Sequence, residues 1–330
     1  MGFFNNLSKK HNYVRTHFHA SSSYRFDVAI VCPAINPKLW GSLHQNFASN
    51  KLNFVLILIG HVRPSGPLPD NVVYIFSEMG PVPCGDIGYQ YVFDNNLAPY
   101  IIWAADDQYF DGSFLDDLVR NYKSLKREYP NRVICVSPVS RARCGGCDCM
   151  GWPSDGQWGY HGVTIGANIC LSIEDAKLLG GGDRRFMGLD SHIDRQLRVY
   201  SELGGIILIL NESDCKSTRE KEGYSQMSSK TGRHDRQLLG NLYPKENYQK
   251  LSGKEDGPFL EACYGVTKTP ADDEIYFSKK TGPRNTPGTN GVNIFSKQRW
   301  VIKRRESPQL YSREELKFQE PDWTKKFSSD

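Results

Sequence analysis

No apolar run in this chain approaches the ~20 residues that a helix needs to cross a bilayer. The longest are 54-FVLILI-59 and 206-IILIL-210, so membrane insertion is not expected. The N-terminus, MGFFNNLSKKHNYV, has no apolar core of the kind a secretory signal carries, and Asn6 stands where a myristoylation signal needs Ser or Thr. No charge sign dominates. Forty-one basic side chains against 37 acidic ones give a formal net charge of +4, too small by itself to argue for a nucleic-acid partner. Nor can the nine cysteines all pair within one chain, and 330 residues bury enough core to stand without disulfides. The expectation is a cytoplasmic protein with reduced thiols.

What the chain does have is alternation. Strand-like runs 27-DVAIVC-32, 53-NFVLILI-59, 72-VVYIF-76, 100-YIIWA-104, 132-RVICVS-137 and 206-IILIL-210 are separated by stretches long enough for helices. Such alternation predicts an α/β domain with a mostly parallel central sheet flanked by helices. Helices are predicted over 38–50, over 113–129 with Ser113 as N-cap, and from Ser191 with Ile193, Leu197 and Tyr200 on a buried stripe. Residues 1–24 read as a mobile leader and 25–260 as the domain. It divides at about residue 110 into two halves, 25–110 and 111–260. Residues 261–330 read as a loop-rich, mobile C-terminal extension. Within that extension 296-SKQRWVIKRR-305 packs five cations into ten residues. It reads as a solvated basic face, with peripheral contact to a membrane or phosphates as the alternative.

The apolar run at 100–104 ends in two adjacent carboxylates, Asp106 and Asp107. In a parallel sheet, ligands sit outside the carboxyl ends of the strands. Paired carboxylates there make a hard oxygen site suited to Mn²⁺ or Mg²⁺, which reaches a substrate through phosphate oxygens. The competing reading is that the pair only caps a turn. In 144-CGGCDC-149, Cys144, Cys147 and Cys149 have the elements of a zinc site, though ordinary loop cysteines fit as well. Trp152, Trp158, Tyr160 and His161 suit either a sugar-stacking platform or loop packing.

From residue 27 to about 210 the chain resembles the inverting GT-A fold glycosyltransferases with a DxD motif. The resemblance is carried by 28-VAIVCPAINPK-38, by 84-CGDIGYQYVFDNNLAPYIIWAADDQYF-110 and by 164-TIGANICLSIEDAKLLGGGDRRFMGLDSHIDRQLRVYSELGG-205. It implies a Rossmann-like sheet, a nucleotide-diphosphate sugar donor and a hydroxyl acceptor. It also implies nucleotide-sugar contacts at Pro33, Asn36, Asp86, Gly88 and Asp106, and a metal held by Asp107 with Asp106 and His234. Acceptor contacts are implied at Trp158, Asp183 and Asp194. The base slot falls on Asp190 or His192, of which Asp190 is favoured because it follows the turn ending at Gly188. Asp194 and Arg198, at i and i+4, also suit a plain ion pair. The chain departs from the pattern at Gly85, where the family has arginine, and at Ala105, where the first DxD aspartate belongs. Two other functions fit the same architecture: a nucleotidyltransferase, and a non-catalytic carbohydrate-binding module that kept the fold.

Overall fold

The computed structural model describes residues 24–110, 112–141, 168–188, 191–217, 229–243, 274–279, 294–299 and 304–319. Strands β1 (Val28–Pro33), β2 (Phe54–Gly60), β3 (Val72–Phe76) and β4 (Tyr100–Trp103) form a parallel block in the order β4-β1-β2-β3. A second block contains β6 (Ile134–Arg141), β8 (Ile206–Ser217) and β9 (Glu274–Lys279), mutually parallel. The short strand β7 (Cys170–Ser172) joins the blocks and runs antiparallel to both β4 and β6. Strand β10 (Ile294–Arg299) closes the far edge against β9, and β5 (Gln108–Phe110) pairs with the end of β8. The sheet is therefore mixed, parallel within each block, and the protein has an α/β fold.

The strand runs read as continuous apolar stretches because both faces are covered. Val28, Ile30, Cys32, Leu56 and Leu58 point to one face, where α1 (Pro37–Ala48) and α3 (Phe114–Glu128) pack through Trp40, Phe47, Phe114 and Leu118. Ala29, Val31, Val55, Ile57 and Ile59 point to the other. There α2 (Pro81–Asn95), α4 (Ile173–Leu179), α5 (Ser191–Ser201) and α6 (Ser229–Leu242) contribute Ile87, Val92, Leu179, Leu197 and Leu239. Ser113 precedes α3 as expected, but its hydroxyl donates to the Asp117 carboxylate at 2.8 Å rather than capping a backbone N–H. Among the described residues no helix is long and apolar enough to cross a membrane. The described cysteines, Cys32, Cys84, Cys135 and Cys170, are buried and unpaired with one another.

The C-terminal stretch differs from the sequence expectation. Residues 274–279 and 294–299 add strands to the sheet. Residues 304–319 form an extended strap rather than a mobile tail: Arg305 N donates to the Leu242 carbonyl, Arg184 N to the Gln309 carbonyl, and Gln319 N to the Phe76 carbonyl. Ion pairs from Arg184 to Glu315 and from Arg313 to Asp94 fasten it further. The strap has no apolar period of its own, and its local signal is the capping box of Ser312 and Glu315 around the single 3-10 turn Arg313–Glu315. Its conformation comes from long-range partners.

Helix α2 lies against β1 and β2 at Gly88, where a Cβ would stand 2.3 Å from Val31 Cγ1 and 2.9 Å from Ile59 Cδ1. Gly88→Ala is therefore expected to lower stability by about 1–3 kcal/mol through overpacking. A lower urea midpoint at unchanged slope would show it; an unchanged midpoint would mean that the helix shifts freely.

Candidate functional site

The strand order reverses between β4 and β1: the chain builds β1, β2 and β3 in one direction, then returns to add β4 on the other side of β1. Open α/β sheets bind ligands in the crevice at such a switch point. Two chain exits meet there, 33–36 leaving β1 and 104–107 leaving β4. The junction is the Asp106 carboxylate. Its Oδ2 accepts from Ile35 N and Asn36 N at 2.7 Å each and from Trp40 Nε1 at 3.1 Å. Asn36, the residue preceding α1, makes no side-chain cap. The Asp106 carboxylate instead holds the two N–H groups that precede the helix, near the positive end where an anion is favoured. Asp106 is thus a buried clamp, and one of the oxygens expected to face a metal or ribose is engaged by the backbone.

The rest of the turn is held by Gln108 and Asn168. Gln108 Oε1 accepts from Ala105 N at 2.9 Å and from Asn168 Nδ2 at 2.8 Å, while Asn168 Nδ2 also donates to the Trp103 carbonyl. These two residues were missed from sequence because a lone amide carries no pattern. Asp107 is half-buried at the same turn. Together with Asp106 it raises the pKa of the Cys32 thiol behind it, adding to the larger effect of burial. Pro33 and Asn36 do lie at this crevice.

Asp86 and Gly88 are both engaged within the fold. Asp86 is buried in an ion pair with Arg195 and accepts from Gly182 N. Burial pushes its pKa up, and Arg195 and the Gly182 N–H work against that rise. Arg195 also lies over the Tyr89 ring. The pair ties α2 to α5 and to the Gly181–Gly182 turn, and Gly88 is a helix-on-sheet contact.

The acids expected on the acceptor side are engaged in the same way. Asp183 and Asp194 are fully buried and share Arg304, whose Nη2 donates to Asp183 and whose Nε donates to Asp194 at 3.1 Å. Arg185 also grips Asp183. Burial opposes ionisation of Asp183, but these guanidinium hydrogen bonds outweigh it and hold its pKa below the usual range. Asp194 accepts from the Tyr243 hydroxyl at 2.9 Å and lies 3.8 Å from Arg198, the ion-pair geometry its spacing suggests. Arg304 belongs to the run read as a solvated basic face, yet its side chain is only 2% exposed. A local charge pattern cannot reveal a carboxylate waiting more than a hundred residues upstream.

His192 stacks on Trp103, ring centroids 6.3 Å apart, and its Nε2 is buried without a hydrogen-bond partner among the described residues. Burial, reinforced by the charge of Arg195 and opposed by Asp235, lowers its pKa to about 4. Asp235 accepts from Met187 N and Gly188 N, fixing the turn before α5. His234 pairs with Asp235 through Nδ1 at 3.0 Å. No group of three His, Cys, Asp or Glu among the described residues is arranged to hold a metal ion, so His234 does not join Asp106 and Asp107 in one cluster. Asp190, Trp158 and the cysteines at 144–149 lie outside the described residues.

No protein-family model matches the chain, and no curated protein matches it. Solved structures of S. aureus TarS are similar at low identity. Residues 1–349 of TarS in complex with UDP-GlcNAc give a TM-score of 0.44 at 10% identity, over 64% of this chain and 65% of that one. A second TarS structure gives 0.41 at 10% identity, over 64% of this chain and 42% of that one. The chain therefore spans less than two thirds of the length of these TarS structures.

Two outcomes follow from the buried charges. Arg304→Met leaves two carboxylates without their shared cation and is expected to cost about 3–5 kcal/mol; chemical denaturation showing a loss below about 1 kcal/mol would contradict the clamp. For His192 the folded pKa lies below the unfolded value, so the unfolded chain takes up the extra proton first as pH falls. Stability is then lost between about pH 6.5 and about pH 4. His192→Gln is expected to remove up to roughly 3 kcal/mol of that loss, read as a flatter pH dependence of the unfolding free energy than in the wild type.

Proposed function

We propose that the protein is a glycosyltransferase of GT-A architecture, moving a sugar from a nucleotide-diphosphate donor to a hydroxyl acceptor with inversion. The observation that carries this reading is the convergence of the β1 exit and the Asp106–Asp107 turn at the switch point of the sheet. The sequence resemblance over residues 27 to about 210 supplies the reaction class.

In this reading the donor's diphosphate lies across the β1 and β4 exits. Asp106 holds the two exits in register, so the crevice is formed before substrate arrives and costs no ordering at binding. Mg²⁺ or Mn²⁺ bound to a nucleotide diphosphate takes one or two protein carboxylates, with phosphate and water oxygens completing its shell. Asp107 suits that role, and Asp106 is the lesser contributor because Oδ2 serves the backbone. When bound, the cation supplies charge stabilisation for the departing diphosphate. The acceptor hydroxyl loses its proton to a base as its oxygen bonds to the anomeric carbon from the face opposite the breaking bond to the nucleotide diphosphate. Asp190, immediately before α5, is assigned as that base. His192 is the weaker choice, because a buried imidazole with a pKa near 4 has little tendency to accept a proton at neutral pH.

Calorimetry with a nucleotide diphosphate is expected to show tighter binding with Mn²⁺ than with EDTA, and Asp107→Ala should abolish the difference. Equal affinity with and without metal in the wild type would sink the metal role. In transfer assays over a panel of nucleotide sugars, Asp190→Asn should lose on the order of 10²-fold or more, and His192→Gln much less. Metal-dependent binding with no turnover of any donor would instead favour a carbohydrate-binding module, which the alanine at position 105 already hints at.

A further inference from the structure

The opposite end of the sheet carries a second concavity, about 940 Å³, between the outer face of α3 and the chain entering β2 and β4. Tyr100, which opens β4, and Leu52, just before β2, form its floor, so it lies at the end of β4 away from Asp106 and Asp107. Its rim is cationic: Lys51, Arg120, Lys123, Lys126 and Arg127 all line it. The one lining carboxylate, Asp116, is turned to the backbone, accepting from Lys51 N at 3.1 Å and Leu52 N at 3.3 Å.

Two of the five cations are accounted for within the fold. Arg120 pairs with Asp117 at 2.6 Å, and Lys126 reaches Asp175 and the Arg132 carbonyl. Lys123 lies 5.5 Å from the centre of the Tyr100 ring. No carboxylate among the described residues pairs with Lys51, Lys123 or Arg127. Arg120, Lys123 and Arg127 are exposed and follow one another at i, i+3 and i+7 along one helix face. Like charges at that spacing work against the helix, and gathering them round a concavity compounds the repulsion. An anion seated among them offsets it, while an aromatic and aliphatic floor suits the body of an organic molecule.

We propose that this concavity is a second binding site, separate from the strand-end crevice, for a phosphate-bearing organic anion. The phosphate sits among Arg120, Lys123 and Arg127, and the body lies over Tyr100 and Leu52. The volume exceeds what inorganic phosphate fills, so the ligand is either a soluble phosphorylated metabolite or an anionic lipid headgroup.

The test uses the full chain in EDTA, which removes any cation-dependent binding at the strand ends. Inorganic pyrophosphate is titrated by calorimetry, and co-sedimentation is measured with vesicles of phosphatidylcholine containing phosphatidylglycerol. Wild type is compared with Arg120→Glu/Lys123→Glu/Arg127→Glu and, should that variant fail to fold, with the triple Gln variant. Saturable pyrophosphate binding, at least about tenfold weaker in the variant and weakened by salt, supports the site with a soluble ligand. Vesicle binding alone, lost in the variant, supports it with a lipid source. Binding of either probe that is unchanged in a folded variant, or no binding of either by wild type, overturns the proposal.

Discussion

The crevice depends on one carboxylate oxygen. Asp106 Oδ2 accepts from three donors, the Ile35 and Asn36 N–H groups that lead into α1 and the Trp40 indole, and by doing so fixes where β4 ends relative to where β1 ends. These are the two exits between which the strand order reverses, so the same contact that stabilises the helix start also shapes the opening. Buried N–H groups left without an acceptor cost about 1–3 kcal/mol each, which makes the clamp hard to replace by a neutral side chain. It also divides the labour of the adjacent acids. Asp106 is structural first, and the proposed metal role falls to Asp107, one residue further on.

A second constraint operates on the other side of α2. Asp86, Asp183 and Asp194 are all buried, and each is matched by a guanidinium, from Arg195, Arg185 or Arg304. Burying ions is costly unless they are paired and hydrogen-bonded, so this network specifies an arrangement more than it adds stability. It joins α2, the turn at 181–188, α5 and the strap at 304–319 into one wall. Asp235 then fixes the end of that turn through Met187 and Gly188. The turn at 181–188 is thereby held by α2, the strap and α6.

The buried wall and the open α3 face treat charge in opposite ways. In the wall Arg195 and Arg304 meet carboxylates and are withdrawn from solvent, while Arg185 stays partly exposed. On α3, Lys123 and Arg127 sit in water beside a concavity whose carboxylate faces the backbone. The basic run that looked most exposed in sequence, 296–305, supplies a buried clamp, and the helix that looked ordinarily amphipathic supplies the cationic surface.

The strands of the first block and helices α1, α3 and α5 were legible because each rests on a local rule: apolar runs covered on both faces, a periodic stripe such as Ile193 and Leu197, acids early and cations late in α3. The placing of a carboxylate pair at a strand end was legible for the same reason. The antiparallel link β7 was not, since three residues carry too short a pattern, and neither was the strap, whose local signal is a single capping box. By itself the sequence determined the α/β class, the main strands and the position of Asp106 and Asp107 just past the end of β4. Tertiary structure alone decided which acids are clamps. That choice rests on partners 71 residues away for Asp106 and 110 to 121 residues away for Arg304, and periodicity records only neighbours within a turn or two.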